Sequence, residues 1–151
     1  MYLLDTNVIS ELRKNKRADL GVQRFFKEAI EQNAQLYLSV ITLGELRRGV
    51  ECIRYRGDQQ QADLLDHWLQ TILADYSEHI LDFTTTEAQV WGYLRVPQPQ
   101  NALDKQIAAT ALARGLTLVT RNIKDFAETG VPLLNPFSKL TITKSTGQKT
   151  D

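Results

Sequence analysis

The chain has 151 residues, the size of one ordinary domain, and such a chain buries roughly 68–70% of its unfolded surface without disulfide or metal staples. Hydrophobic residues make up 42% and charged residues 24%, and 18 basic residues balance 18 acidic ones. This composition excludes a disordered chain, and it excludes a polycation that binds nucleic acid through its overall charge.

Cysteine usage and hydropathy limit the cellular setting. Cys52 is the single cysteine, so it cannot form an internal disulfide, and His67 and His79 cannot complete a zinc site with it. We therefore expect a reducing, cytoplasmic environment. No apolar run approaches the roughly 18 residues of a membrane span, and Asp5 follows the first residues before a signal-peptide apolar region forms. We expect a soluble, unprocessed protein with no membrane partner.

Short apolar runs alternate with longer helical patterns, which predicts an α/β fold with a parallel sheet between helices. Strands are predicted at residues 1–4, 35–39, 80–83, 116–120 and 131–134. Helices are predicted at residues 6–11, 20–30, 42–52, 58–76, 84–96, 103–114 and 123–127. Thr84 and Glu87 have the spacing of a capping box, and Gly115 is a C-cap. We expect residues 1–137 to form one domain and residues 138–151 a flexible polar tail.

The predicted helix over residues 58–76 has a wide apolar face that includes Leu65, Trp68 and Leu69. Such a face suits a helical hairpin, in which it is buried within the same chain, or a contact with another protein. The sequence leaves both interpretations open.

Asp5 stands directly after the first apolar strand. In open parallel sheets, ligand sites lie outside the carboxyl ends of the strands, so this position suits a functional carboxylate. The structural alternative is that Asp5 caps the helix that begins at Thr6.

Asp104 shares a predicted helix face with Ile107, Ala108 and Ala111, and that face should point inward. Burying a lone carboxylate is costly unless a cation or hydrogen-bond donors meet it, which marks Asp104 as a candidate site residue. The structural alternative is a first-turn aspartate that interacts favourably with the helix dipole.

Glu45 lies three residues after Thr42, so a capping box explains it structurally. It also shares a side of the helix with Gly49, which has no side chain and leaves one flank of the carboxylate open. An open flank favours a functional role instead.

If the strands that end at Asp5 and Thr120 are neighbours, then Asp5, Glu45 and Asp104 converge at one edge of the sheet. Two carboxylates about 4 Å apart repel by ~4 kcal/mol at an effective dielectric of 20, so such a cluster has raised pKa values or recruits a cation. All-oxygen ligands select hard cations such as Mg²⁺ or Mn²⁺, which mostly serve phosphate chemistry. A fourth position falls to Asn122 or to Asp125, whose structural alternative is a solvated residue in the first turn of a short helix.

Four segments in this order resemble the PIN-domain ribonucleases of the VapC and FitB type, which are toxins of bacterial type II toxin-antitoxin pairs. The resemblance covers nearly the whole chain up to Pro136 and rests on residues 2–10, 39–49, 104–111 and 118–126, with a closing Leu134-Asn135-Pro136-Phe137. It implies a three-layer PIN fold with strand order 3-2-1-4-5. It also implies an acidic pocket that binds Mg²⁺ or Mn²⁺ and cleaves RNA by metal-activated water.

The resemblance also assigns individual residues. The metal-binding acids of the family fall on Asp5, Glu45 and Asp104. Thr6 and Thr120 fall on hydroxyl positions that orient these carboxylates, and Asn7 falls where the family commonly has Asn. Many relatives place a fourth acid directly after Thr-Arg, where this chain has Asn122, and Asp125 is the other candidate for that role.

Family members typically form homodimers and are neutralised by an antitoxin of the VapB kind that itself binds operator DNA. By this resemblance the antitoxin crosses the active-site groove and offers a basic side chain to the acids. Since the net charge is zero, RNA phosphates need a local basic patch. Its candidates, each also explicable as ordinary solvated surface, are Arg13, Lys14, Lys16, Arg17, Arg47 and Arg48.

Two rival functions remain. The Asp5-Thr6-Asn7 segment faintly resembles haloacid dehalogenase phosphatases, but Asn7 cannot act as the acid that such enzymes have two residues after the nucleophile. A non-enzymatic co-repressor that binds DNA with its partner is the second rival, because position 122 has no acid. Glycine-rich phosphate loops and Gly-x-Ser-x-Gly elbows are absent from the sequence.

Overall fold

The computed structural model describes residues 1–138, which form a five-stranded sheet with helices on both faces. All four strand pairings are parallel and the order is β3-β2-β1-β4-β5, as predicted. The strands are β1 (Tyr2–Leu4), β2 (Leu36–Ser39), β3 (Ile80–Leu81), β4 (Thr117–Val119) and β5 (Leu133–Leu134). Because β1 is central, its carboxyl end is flanked by the ends of β2 and β4.

The described residues contain seven α-helices. They are α1 (Thr6–Leu12), α2 (Leu20–Glu31), α3 (Val40–Tyr55), α4 (Gln59–Asp75), α5 (Thr85–Leu94), α6 (Ala102–Arg114) and α7 (Ile123–Phe126). Between residues 1 and 138, none of them has the length and apolar content that crossing a bilayer requires.

Successive side chains of a strand point to opposite sides of a sheet. Because helices cover both sides here, the central strand β1 is buried on both faces. Leu4 belongs to a core shared with α1 to α4, and Leu3 to a second core shared with α6 and α7. Both leucines are fully buried. This explains why β1 reads as a continuous apolar run rather than as an alternating one.

Helix α3 extends beyond both of its predicted ends, since it covers Val40–Tyr55 rather than 42–52. This helix begins at Val40 rather than at residue 42, and Ser39 caps it by accepting a hydrogen bond from the Ile41 N–H at 3.0 Å. Strand β2 therefore passes directly into α3 without a loop. As a result Glu45 lies in the second turn of the helix.

Helices α3 and α4 pack against each other as a hairpin, which is one of the two interpretations that the sequence left open. Leu65, Leu69 and Ile72 are buried in this contact, whereas Leu64 is 62% exposed. The hairpin thus accounts for most of the apolar face of α4.

The last described residues dock on the start of α2. Asp19 caps α2 by accepting from the Gly21 N–H at 2.8 Å, and the same carboxylate oxygen accepts from the Ser138 N–H at 2.9 Å. A Cβ at Gly21 would lie 2.2 Å from the carbonyl oxygen of Pro136, so this close approach needs glycine. Of the predicted tail over residues 138–151, all but Ser138 lies outside the described residues.

A buried carboxylate joins α5 to α6. Glu87 completes the predicted capping box with Thr84, and its other oxygen accepts from Arg114 Nε at 3.1 Å. The hydroxyl and backbone hydrogen bonds from Thr84, with the nearby guanidinium, lower the pKa of Glu87 to about 2 despite its burial.

We predict that Glu87→Gln lowers the free energy of unfolding at pH 7 by ~1–3 kcal/mol, the scale of hydrogen bonds to a charged group. Because the pKa of Glu87 is lowered on folding, its contribution is complete above 4.5 and is lost as the pH falls toward about 2. Urea unfolding at pH 7 and pH 3 measures the effect, which should shrink at pH 3. Exposed Glu78 provides the control Glu78→Gln, and equal stability of the two variants would contradict the prediction.

Candidate active site

Asp5 lies between β1 and α1 and has two structural tasks at once. Its Oδ1 accepts from the Thr6 N–H at 2.8 Å, so the N-cap interpretation is correct. Its Oδ2 accepts from the Thr120 hydroxyl at 2.7 Å and from Asn7 Nδ2 at 3.2 Å. The side chain is 4% exposed and meets neutral donors rather than a cation. A cap role and a site role are therefore compatible.

The loop after β4 is fixed to the start of α1. The Asp5 N–H donates to the Val119 carbonyl at 2.9 Å, which places the ends of β1 and β4 side by side. Thr120 Oγ1 accepts from the Asn122 N–H at 3.0 Å, and Asn7 Oδ1 accepts from the Arg121 N–H at 3.1 Å. Asn7 and Thr120 thus hold the Asp5 carboxylate and the following loop in one arrangement.

The pKa values show that Asp5, Glu45 and Asp104 share one electrostatic environment. Burial raises the pKa of Asp5, and the hydrogen bonds from Thr120, Thr6 and Asn7 only partly oppose it. Burial, with the negative charge of Asp5 and then of Asp125, raises the pKa of Asp104 to about 6. Burial, followed by the charges of Asp5 and Asp104, raises the pKa of Glu45.

No cation neutralises this cluster within residues 1–138. None of the three acids forms an ion pair there, although eight such pairs occur elsewhere in the same residues. Desolvated like charges without a counter-ion are strongly unfavourable at neutral pH. The charge of Asp5 therefore acts on both Glu45 and Asp104, and among residues 1–138 no cation compensates these acids.

Glu45 faces an open groove rather than a cap. Since Ser39 is the N-cap of α3, the alternative in which Glu45 forms a capping box with Thr42 is wrong. Glu45 instead lines a cavity of about 270 Å³ together with Thr6, Gly49 and Trp68. No atom lies within 4 Å of the position of a Cβ at Gly49, so the flank of Glu45 is open as predicted.

Asp104 lies in the first turn of α6, where the helix dipole favours it, and it is half-buried. Among residues 1–138, no group donates a hydrogen bond to its carboxylate. Ile107 and Ala108 on the same helix are fully buried. Asp104 is therefore half-buried on a helix whose neighbouring residues enter the core, and it lacks the donors that hold Asp5.

The two candidates for the fourth position of the acidic site differ in charge and in their effect on the other acids. Asn122 and Asp125 are both exposed. The negative charge of Asp125 contributes to the raised pKa of Asp5 and of Asp104, so Asp125 borders the cluster. Asn122 contributes its backbone N–H to Thr120, and its side chain does not cap α7.

The donor set fits a hydrated hard cation better than a fully protein-ligated one. Among residues 1–138, no three His, Cys, Asp or Glu side chains are already arranged to hold a metal ion. Mg²⁺ commonly takes one or two carboxylates and keeps several waters, so a looser group of acids suits it. The buried Thr6 hydroxyl, which lies toward Glu45, closes no hydrogen bond of ordinary length and has capacity for a bound water.

Some neighbouring residues have contacts that the sequence does not reveal. Buried Glu11 accepts from Lys14 Nζ at 2.8 Å and from the Asp19 N–H at 2.9 Å. Arg47 pairs with Asp66 at 3.0 Å. Lys14 and Arg47, two of the six candidates for phosphate contacts, are therefore engaged within the chain. The one local signal for Glu11 is its spacing of three residues from Lys14.

The sequence profile of the PIN domain matches residues 2–132. Toxin FitB of Neisseria gonorrhoeae is 34% identical over 145 residues, which cover 91% of this chain and 99% of FitB. Ribonuclease VapC2 of Rickettsia felis is 33% identical over 131 residues, which cover 83% and 90%. A structure of FitAB bound to an IR36 DNA fragment aligns with a TM-score of 0.79 at 30% identity, covering 92% of this chain and 97% of that one.

The fold, the acidic edge of the sheet and these similarities define a PIN domain. The chain belongs to the PIN-domain family, and its relatives within that family include toxins and ribonucleases of the FitB and VapC type. The resemblance predicted from four short segments is confirmed.

We predict that Asp104→Asn stabilises the metal-free protein at pH 7.5, because it removes a desolvated charge beside Asp5. Because the pKa of Asp104 is raised to about 6 from 3.8, ionisation lowers the free energy of unfolding as the pH rises through this interval, and the penalty persists above it. Thermal unfolding in EDTA should show a gain for Asp104→Asn at pH 7.5 that shrinks at pH 4. Asp75→Asn, at an exposed position on α4, is the matched control. A lower Tm for Asp104→Asn at pH 7.5 would refute the prediction.

Proposed function

We propose that this protein is a Mg²⁺- or Mn²⁺-dependent endoribonuclease that acts as the toxin of a bacterial toxin-antitoxin pair in the cytoplasm. The observation that carries the proposal is the cluster of Asp5, Glu45 and Asp104, in which burial, followed by the charge of Asp5, raises the pKa values of Glu45 and Asp104. The names of relatives, among them Ribonuclease VapC2 and Toxin FitB, support the reaction and the setting.

Asp5 and Asp104 are the proposed direct ligands, and Glu45 completes the pocket as a ligand or as a base that orients water. A bound Mg²⁺ or Mn²⁺ supplies a water of lowered pKa and shields the charge of the phosphodiester. Asp125 is the better candidate for the fourth position, because its charge already acts on Asp5 and Asp104. Asn122 remains available for an uncharged contact to water.

The remaining side chains act by position. Thr120 and Asn7 fix the Asp5 carboxylate through hydrogen bonds of 2.7 and 3.2 Å, so its orientation needs no adjustment when substrate arrives. Burial, followed by the charges of Asp5 and Asp104, raises the pKa of Glu45 and so makes its carboxylate a stronger proton acceptor. These two contributions come from the chain itself.

A non-enzymatic co-repressor is the second candidate function. The exposed Asn122, at a position where many relatives have an acid, favours it. The assay below separates the two functions, since a co-repressor has no metal-dependent cleavage to lose.

We predict that the purified protein, freed of antitoxin, cleaves RNA with Mg²⁺ or Mn²⁺. Asp5→Asn and Asp104→Asn should each lower the rate by ~10²-fold or more, the scale expected when electrostatic stabilisation of a transition state is removed. Cleavage of a labelled total RNA preparation, followed over time with metal and with EDTA, measures the effect. Sequencing of RNA ends after brief expression of wild type and Asp104→Asn identifies the cut sites.

Asp75→Asn is the control for this assay, because Asp75 is exposed at the end of α4. Circular dichroism confirms that each variant is folded. Cleavage that persists in EDTA, or in Asp104→Asn at the wild-type rate, would reject the assignment.

We also propose a homodimer neutralised by a VapB-like antitoxin, whose own N-terminal part binds operator DNA. The groove beside Glu45 supports this partner, because apolar Leu46, Ile53 and Trp68 line it together with the acid. An antitoxin segment with apolar side chains and one basic side chain is complementary to such a groove.

Gly49→Leu tests the groove. Since a Cβ at Gly49 enters open space on α3, we predict that the variant folds and weakens binding of the cognate antitoxin by ~10-fold or more through steric filling. Gly44→Leu is the matched control, because Gly44 is a second exposed glycine of α3 with open space at its Cβ and does not line the groove. Calorimetric titration of each variant with the antitoxin measures the two affinities. Equal affinities would contradict the role of the groove in antitoxin binding.

A further inference from the structure

A second cleft borders the acidic cluster and shares no lining residue with the groove beside Glu45. It encloses about 380 Å³ between the loop that precedes α6 and the helix α7. Asp125 lies in its wall, and the charge of Asp125 also acts on Asp5 and Asp104. The cleft therefore begins where the acidic cluster ends.

The cleft contains two lysines, Lys105 and Lys124, neither of which forms an ion pair within residues 1–138. Lys105 directly follows Asp104 on α6, and its Nζ donates only to the carbonyl of Gln98. Two acids, Asp125 and Glu128, line the same cleft. The lysines thus offer positive charge beside a cluster that repels phosphate until a cation occupies it.

The same cleft presents amide groups without partners. Asn101 occupies the N-cap of α6 in a left-handed conformation with φ 56°, yet its side chain does not cap the helix. Within residues 1–138, the side chains of Gln100 and Asn101 form no hydrogen bond, and both line the cleft. Pro97 and Val96 add apolar surface to the same wall.

These three features match one unstacked nucleotide. RNA is read with sequence specificity mainly in single strands, where amides bond to base edges and apolar or planar groups contact the base faces. Cations meet the phosphates, and a volume of a few hundred Å³ is the size of a small-ligand site. A cation held by the acids would meet any RNA phosphate, whereas this cleft adds groups that distinguish bases.

We infer that the cleft between α6 and α7 holds the nucleotide next to the scissile phosphate, with Lys105 and Lys124 on the RNA backbone and Gln100 and Asn101 on the base edge. This inference rests on the proposed ribonuclease function and names the part of the substrate that sets cleavage preference. The partner class is single-stranded RNA.

The first experiment measures the backbone contacts. Lys105→Gln/Lys124→Gln should raise KM for a randomised single-stranded RNA pool by ~10-fold and reduce the slope of log affinity against log salt by about 1.4, since each single-strand phosphate contact contributes about 0.7. Glu128→Gln should leave KM unchanged or lower it, because it removes a negative charge from the same cleft. Lys27→Gln, at an exposed position on α2, is the control for loss of one distant positive charge.

The second experiment measures base preference. Asn101→Gly removes the amide while glycine keeps the left-handed backbone unstrained, and Gln100→Ala removes the neighbouring amide. After cleavage of the randomised pool, sequenced ends should show that the preference for one base beside the cut falls by ~5-fold or more in Asn101→Gly/Gln100→Ala. A purely structural role would change the rate but leave the preference intact.

Two results would overturn the inference. The first is that the cleft variants keep the KM, salt slope and base preference of the wild type. This result counts when the wild type cleaves RNA with Mg²⁺ and Asp104→Asn does not. The other is weaker antitoxin binding with unchanged RNA cleavage, which would assign the cleft to the protein partner. If the wild type does not cleave RNA at all, the proposed function fails, and anisotropy titrations with the labelled pool still test the lysines because binding needs no turnover.

Discussion

Three desolvated carboxylates at one edge of a parallel sheet are the constraint that organises this molecule. Asp5 is buried at the end of the central strand, and its charge acts on Glu45 and Asp104 across the ends of two helices. Repulsion of this kind opposes folding, so the surrounding structure must hold the acids in place. The interlocking cores on both faces of the sheet supply the opposing free energy.

At this edge of the sheet, Asp5 is held more firmly than Asp104. Asp5 receives hydrogen bonds from three residues, and Asn7 and Thr120 extend that network to the loop after β4. Asp104 receives none within the described residues. One acid is therefore fixed in orientation, whereas the other is held only by the helix that bears it. Such a pair can accept a hydrated cation and still adjust to the distances that it requires.

The sequence predicts those features that depend on local pattern. The strand order follows from the resemblance to PIN domains, and Asp5 is recognisable because it stands at the carboxyl end of an apolar strand, where ligand sites of parallel sheets lie. The capping box of Thr84 and Glu87 is confirmed, but that of Thr42 and Glu45 is not, because Ser39, three residues before the predicted start, is the N-cap. Local spacing alone cannot decide which of two possible caps begins a helix.

Contacts between residues that are far apart in the sequence cannot be predicted from local pattern. Arg114 meets Glu87 across 27 positions, and the cleft wall brings residues near 100 beside residues near 125. Nothing in the spacing of these residues encodes their meeting, which follows from the packing of α6 against α5 and α7. Asp104 was predictable as an inward acid, while its lack of hydrogen-bond donors was visible only in three dimensions.

That lack of donors separates charge from fold at one position. Loss of Asp5 would disturb a helix start and a bridge between strands, whereas loss of Asp104 removes charge and little else. A substitution at position 104 would therefore alter the electrostatics of this edge and leave both cores unchanged.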